Sequence, residues 1–299
     1  MHAMITKVAG CFGGVVILLL ASSCAEQASE PLTSQREGVA VADDGVEISY
    51  RLMGPADAPT LWVGYPWSEG MNDLLSEISG ARMDQDHSAM LSRLTEKYRV
   101  LYVDYPRGIG GTTGPLPDDL LPETAAKDYE VVADAAGIDR FVALGYSWGA
   151  ALGVQVALHS KRCAGLAIGG WPVLGAPFEE IIPQSAANAA ALPPGRGRDT
   201  FVSNVKFYEA SLAGWDDQES MEALQRDRAG LLYLYVGSED VGVPAQGLNL
   251  PIAERIVEHR KPLEDAGWRV AVFAGFDHMN LPEDVWLDGV LAFLEGKSW

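Results

Sequence analysis

The chain predicts an α/β fold: a mostly parallel sheet covered by helices on both faces, with a helical insertion late in the chain. Three observations carry this. From residue 46 onward, strand-like and helix-like patterns alternate, the rhythm of strands joined by crossover helices. The segments 99–104 (RVLYVD) and 231–236 (LLYLYV) are almost continuously apolar, as strands buried on both faces must be. Finally, residues 141–153 (FVALGYSWGAALG) set a G-x-S-x-G pentapeptide, Gly145 to Gly149, between an apolar β-type run and an Ala/Gly/Val/Leu helical run. A serine on so sharp a strand-to-helix turn is held in a strained backbone conformation that pushes its hydroxyl into a cleft. The same turn aims the first free N–H groups of the new helix at whatever the hydroxyl meets.

In chain order, residues 1–24 read as a segment outside the fold. Lys7 is a positive n-region, residues 15–20 (VVILLL) a short apolar core, and Ala21-Ser22-Ser23 precedes Cys24. The apolar run is too short to span a bilayer, so a removable export signal is expected. Its ending resembles a bacterial lipoprotein signal, which implies lipidation at Cys24 and a membrane anchor; ordinary cleavage at the same small residues, giving a soluble exported protein, is the alternative. Residues 25–45 are expected to be a polar tether. Strands follow at 46–52 and 60–64, split by the turn signal Gly54-Pro55. Residues 84–98 predict a helix, 99–104 a strand, 122–136 a helix, then the strand–serine–helix unit and a strand at 165–169. Residues 171–228 interrupt the rhythm with helical patches broken at Leu192-Pro193-Pro194-Gly195. The strand at 231–236, a helix over 252–266 kinked or broken at Pro262, a strand at 269–273 and a helix at 284–294 complete the chain. The layout is thus a core in two parts, 46–170 and 229–299, around a helical cap at 171–228.

At 299 residues with 48% hydrophobic composition, the chain has material for one large core. Its formal net charge of −19, from 41 acidic and 22 basic residues, would repel phosphate backbones and argues against nucleic acid as a partner. Were Cys24 lipidated and Cys11 lost with the signal, Cys163 would stand alone without a disulfide. No metal-ligand spacing, phosphate-binding glycine loop or cofactor motif is visible.

A serine nucleophile needs a base, and the base an orienting acid. Of the five histidines, His2 lies in the signal, His87 and His259 lie on predicted helices as solvated residues, and His159 lies far along the helix that starts after Ser147. His278 differs. It lies in Gly275-Phe276-Asp277-His278-Met279-Asn280, just after the last strand, on the carboxyl edge that Ser147 shares. The acid should come from that edge too, and Gly237-Ser238-Glu239-Asp240 directly follows a strand. Asp240 is the expected acid and Glu239 the reserve, while Asp277 is expected to stabilise its own turn.

These motifs together resemble the α/β-hydrolase family over roughly residues 46–299. The order Ser147, Asp240, His278 is that family's order of nucleophile, acid and base. Val63-Gly64-Tyr65-Pro66 resembles its H-G-x-P oxyanion loop, with Val63 replacing the usual His, and residues 104–112 (DYPRGIGGT) resemble its D-x-x-G-x-G-x-S loop. The resemblance implies an oxyanion hole made by the backbone N–H groups of Tyr65 and Trp148. It also implies that the cap roofs the site, with Trp171, Phe207 and Trp215 binding substrate; that these aromatics form only the cap's own core is the alternative. The activity implied is that of a serine hydrolase, without cofactor, acting on a small-molecule ester, lactone or thioester through an acyl-enzyme. Two other readings stay open. One is a prolyl-aminopeptidase-like exopeptidase, with Glu179, Glu180 or Glu209 holding the substrate ammonium. The other is a non-catalytic binding protein on the same scaffold.

Overall fold

The computed structural model describes residues 34–79, 82, 84–114, 120–228 and 230–299; the expected signal and Cys24 lie outside them. The central sheet has eight strands: β1 (Ser34–Val41), β2 (Glu47–Met53), β3 (Thr60–Val63), β4 (Arg99–Val103), β5 (Phe141–Tyr146), β6 (Cys163–Gly169), β7 (Leu232–Gly237) and, beyond a small hairpin of β8 (Gly242–Val243) and β9 (Leu248–Asn249), β10 (Trp268–Phe273). Their spatial order is β1-β2-β4-β3-β5-β6-β7-β10. The β1/β2 and β2/β4 pairs are antiparallel and the rest parallel. Strands of period two put alternate residues on opposite faces. Leu101, Val103, Phe141 and Ala143 therefore pack into one apolar cluster, and Val100, Tyr102, Val142 and Leu144 into the other.

Helices cover both faces. α1 (Met71–Ser79), α2 (Ser88–Thr95), α3 (Pro122–Ala136) and α4 (Trp148–His159) precede the insertion, which consists of α5 (Phe178–Ala191), α6 (Arg196–Ala213) and α7 (Asp217–Arg228); α8 (Ile252–Glu258), α9 (Arg260–Asp265) and α10 (Glu283–Leu294) complete the chain. Residues of α3 and α4 join the first cluster, and those of α2 and α10 the second. α4 is buried at every position from Trp148 to Ala157, which is why its sequence is apolar all round rather than striped.

The structure departs from the sequence reading in four places. Residues 34–41 are not tether but the edge strand of the sheet. Their alternation, with Ala40 buried between Val39 and Val41 that are 53% and 60% exposed, is diluted by charged residues and Gly38. α1 gave too short a pattern to be read. α2 begins four residues later than expected because Gln85 is held outside the helix by both ends of the Asn72 amide, at 2.8 and 3.0 Å; the Asp86 carboxylate then accepts from the Ser88 N–H at 2.9 Å. The helix expected over 252–266 breaks at His259, ahead of Pro262. A proline ring collides with the carbonyl four residues earlier, here Glu258, but is tolerated in a first turn, where the N–H has no helical acceptor.

Candidate active site

The carboxyl ends of β3, β5, β7 and β10 place four loops along one edge of the sheet. Ser147 follows β5 and has φ 56° and ψ −123°, the one positive φ at a non-glycine residue among the described residues. Its N–H donates to the Gly169 carbonyl at 2.9 Å, and its own carbonyl accepts the first α4 bonds, from Ala150 at 3.0 Å and Ala151 at 3.2 Å. The turn is thus fixed from both sides while the hydroxyl projects outward.

Asp240 follows β7 and is 0% exposed; His278 follows β10 and is 5% exposed. The Ser147 hydroxyl oxygen lies 2.8 Å from His278 Nε2, and His278 Nδ1 lies 2.9 Å from both carboxylate oxygens of Asp240. A carboxylate accepts, so the proton between them sits on Nδ1, and Nε2 is left to accept from the serine. Asp240 Oδ1 also accepts from the Gly242 N–H at 2.9 Å, which fixes the carboxylate plane. The two loops are laced together: Glu239 N–H donates to the Phe276 carbonyl at 2.9 Å and Ser238 N–H to that of Phe273 at 2.8 Å. Glu239 contributes that backbone bond while its side chain is exposed. Asp277 accepts from the N–H groups of Met279 at 2.8 Å and Asn280 at 3.0 Å, as a turn-forming aspartate should.

One participant escaped the sequence reading. Tyr146 donates its hydroxyl to the backbone carbonyl of His278 at 2.9 Å, and its ring lies 5.0 Å from the imidazole. Burial, then the charges of Asp240 and Asp277, push its phenol up, so it stays a neutral donor. The room comes from Gly170, where a Cβ would stand 2.9 Å from the Tyr146 ring and 3.0 Å from His278. The only sequence signal was an aromatic residue directly before the serine.

The loop after β3 closes the other side. At Gly149 a Cβ would stand 2.3 Å from the Tyr65 carbonyl oxygen, so this glycine lets the loop lie directly on the start of α4. The Tyr65 and Trp148 rings meet edge to face at 5.0 Å. Among the described residues no backbone acceptor takes the N–H of Tyr65 or Trp148. Asp104, after β4, braces the loop by accepting from the N–H groups of Glu69 at 3.1 Å and Gly111 at 2.7 Å.

Above the site, Trp171 stacks on Tyr208 at 5.7 Å and Phe207 packs on Trp148 at 5.7 Å. Trp171 and Phe207 are both buried, Phe207 at 0% exposure. Trp215 reaches this group through Phe178, at 6.1 Å, and gives its indole N–H to Asp217 at 2.6 Å. The cap carboxylates face away: Glu179 is exposed, Glu180 pairs with Arg255, and Glu209 pairs with Lys206 at 3.0 Å. His87 is not free in solvent but lies 3.0 Å from a Glu283 carboxylate oxygen. A cleft of about 360 Å³ by Arg51, Trp67, His87 and Tyr102 contains none of Ser147, Asp240 and His278, so the site is located by its chemistry rather than by cavity size.

The profile of the Alpha/beta hydrolase family matches residues 78–258, more than half of the chain. Over 88 residues the chain is 33% identical to a protein named as a carbamate hydrolase, RutD, from Klebsiella pneumoniae (strain 342), a match covering 29% of this chain and 33% of that one. The chain therefore matches about a third of the length of these curated relatives. Among solved structures it is similar to a hydrolase from Pseudomonas aeruginosa PA01, with TM-score 0.57 and 20% identity over 87% of this chain and 99% of that one. It is also similar to the Pyrococcus furiosus esterase Pf2001, with TM-score 0.57 and 15% identity over 88% and 90%. A third likeness is to an enol-lactonase from Burkholderia xenovorans LB400, with TM-score 0.57 and 19% identity over 86% and 99%. Likeness at that identity speaks to the fold, which agrees with the sheet order and the strand–serine–helix turn described above. The chain belongs to the alpha/beta hydrolase family.

Proposed function

We propose that the protein is a serine hydrolase that cleaves a small to medium carboxylic ester, lactone or thioester through an acyl-enzyme. The observation that carries this is the hydrogen-bonded line Ser147–His278–Asp240, at 2.8 and 2.9 Å, ending on a serine held at φ 56°. Ser147 Oγ attacks the carbonyl carbon and its proton passes to His278 Nε2, while Asp240 stabilises the imidazolium. The N–H groups of Tyr65 and Trp148 hold the oxyanion. As the tetrahedral species collapses, the bond to the leaving alcohol or thiol breaks and His278 returns the proton to it. Water, deprotonated by His278, then attacks the acyl carbon and releases the acid and Ser147. The outward-facing cap carboxylates speak against a site for a substrate ammonium, and the assembled donors and acceptors against a purely binding role.

A fluorophosphonate probe should label wild type and not Ser147→Ala. A panel of acyl esters, lactones and thioesters should contain substrates, and amino-acid arylamides should be poor ones. No labelling together with no hydrolysis across the panel would end this reading, and efficient arylamide cleavage would redirect it to peptides.

The localisation we propose is the cell envelope, by export and lipidation at Cys24. Its support is the sequence of residues 15–24. Because one acyl chain binds membranes only marginally, firm attachment would mean several chains. Native protein should partition into detergent, and Cys24→Ala should release it; a soluble mature form beginning elsewhere would refute the anchor.

A further inference from the structure

Among the described residues, hydrogen-bonding side chains in the aromatic group that begins beside Ser147 have no partner. The indole N–H of Trp148 is buried without an acceptor, and the residue is 5% exposed. Tyr208 is 2% exposed. Among the described residues neither its hydroxyl nor that of Tyr65 has a hydrogen-bond partner. Of these three, only the Trp148 indole N–H is a fully buried donor left unpaired, which is costly and calls for an explanation. Trp62 and Trp268 also bury an unpaired indole N–H, so a single orphan would mean little. Trp148 is set apart by its company.

The rings run in one contiguous wall: Tyr65 to Trp148 at 5.0 Å, Trp148 to Phe207 at 5.7 Å, Phe207 to Tyr208 at 5.8 Å. Burial pushes the Tyr65 phenol up to about 12. The Tyr208 phenol is pushed up by burial and then by Tyr65, so both phenols remain donors at neutral pH. The wall joins three elements: the loop after β3, the first turn of α4, and the cap helix α6. Tyr65 and Trp148 are also the residues whose backbone N–H groups are read as the oxyanion donors. The wall therefore starts from the same two residues that would hold the substrate carbonyl. A purely aliphatic acyl substituent against the wall would strip water from these donors and leave them unpaired, whereas an oxygen there would satisfy them.

Resting on the reading of Ser147 as the nucleophile, we infer that the preferred substrates are esters of short oxygen-bearing acids, oxo- or hydroxyacyl groups, whose second oxygen accepts from Trp148 Nε1–H and the Tyr208 hydroxyl. Phe207, fully buried and in ring contact with both at 5.7 and 5.8 Å, supplies the apolar backing that keeps this acyl group short. Trp148 and Tyr208 then determine specificity by the bonds they offer.

The test compares 3-oxobutanoyl and 3-hydroxybutanoyl esters with the pentanoyl ester of the same alcohol, in wild type, Tyr208→Phe, Trp148→Phe and the double variant. The readout is the ratio of kcat/KM between the oxygenated and alkyl members, so intrinsic ester reactivity cancels between proteins. Fluorophosphonate labelling of Ser147 shows that each variant retains a formed site. In wild type the ratio should exceed that of the double variant by tenfold or more, each single variant lying between. Equal ratios in labelled wild type and labelled double variant would overturn this inference and leave the hydrolase reading intact. A wild type that neither labels nor hydrolyses any of the esters would sink the hydrolase reading and this inference with it.

Discussion

Ser147 combines two demands at one residue. Its φ of 56° is a conformation that costs about 1–3 kcal/mol for a residue with a Cβ, and the hydroxyl must be where that conformation puts it. Ser147→Gly should therefore raise the melting temperature, whereas Ser147→Ala, which keeps the Cβ, should not; both should lose about 10⁴-fold or more in kcat. A Gly variant no more stable than wild type would show the turn to be unstrained. The acid assignment gives a second comparison. Asp240→Asn should reduce kcat by orders of magnitude, as loss of the orienting acid does. Asp277→Asn and Glu239→Gln, whose side chains do not reach His278, should change kcat far less. If either equals Asp240→Asn in folded protein, the acid is misassigned. Tyr146 is a positioning residue, acting through the His278 carbonyl. Tyr146→Phe should lower kcat about tenfold with KM little changed, and Tyr146→Leu more, with the pH profile of kcat/KM altered in both. A KM effect alone would place Tyr146 in substrate binding instead.

At the level of elements, the site depends on how closely the loop after β3 lies on α4. Gly149 sets that distance, since a Cβ there would stand 2.3 Å from the Tyr65 oxygen, a backbone atom that cannot swing aside. Gly149→Ala should push the loop outward and separate the Tyr65 N–H from that of Trp148. Loss of one oxyanion donor lowers kcat about 10²–10³-fold, while burial of the serine–histidine pair, and so probe labelling by a small fluorophosphonate, should suffer less. Wild-type kcat in Gly149→Ala would mean that the loop carries no donor. The breaks at His259 and before α2 belong to this level too: each is a local hydrogen bond or ring collision overruling a longer apolar pattern.

Across the whole molecule, the loops following β3 and β4 are tied by polar groups, Ser68 to the Tyr105 carbonyl and Glu69 N–H to Asp104, as well as by the apolar contact of Ile109 with Met71, Leu74 and Tyr65. Arg107 is buried and bonds Asp128 of α3 at 2.8 and 2.5 Å, and also pairs with Asp44 ahead of β2. Asp104 makes one pH-dependent contribution here. Burial raises its carboxyl to about 6, against the downward pull of its two N–H donors. Unfolded, it would titrate near about 3.9, so between about pH 4 and 6 the folded chain binds the extra proton. Its contribution to stability is therefore full below about pH 4 and is lost as pH rises through about 6. The stability difference between wild type and Asp104→Asn, measured by denaturant unfolding, should shift against wild type as pH rises from about 4 to 7. A shift in its favour would mean that the two N–H bonds outweigh burial.

Much of this was legible without coordinates. Parallel strands buried on both faces leave apolar runs, and a serine between such a run and an all-apolar helix marks one edge of a sheet. The remaining strands carry Asp240 and His278 to that same edge, because consecutive parallel strands end on the same side. Sequence alone therefore determined the fold class, most of the order of the elements in the core and the three residues that the structure joins in one hydrogen-bonded line. What only the tertiary structure decided was contact between segments far apart in sequence. The pairing that makes 34–41 a strand, the bond from Tyr146 to His278, the outward turn of Glu180 toward Arg255, and the wall of Tyr65, Trp148, Phe207 and Tyr208 all depend on which side chains meet across the core and cap. Periodicity records whether a residue is buried, since water penalises every apolar group alike; it does not record which partner a buried group has, because that is set by packing geometry no single segment contains.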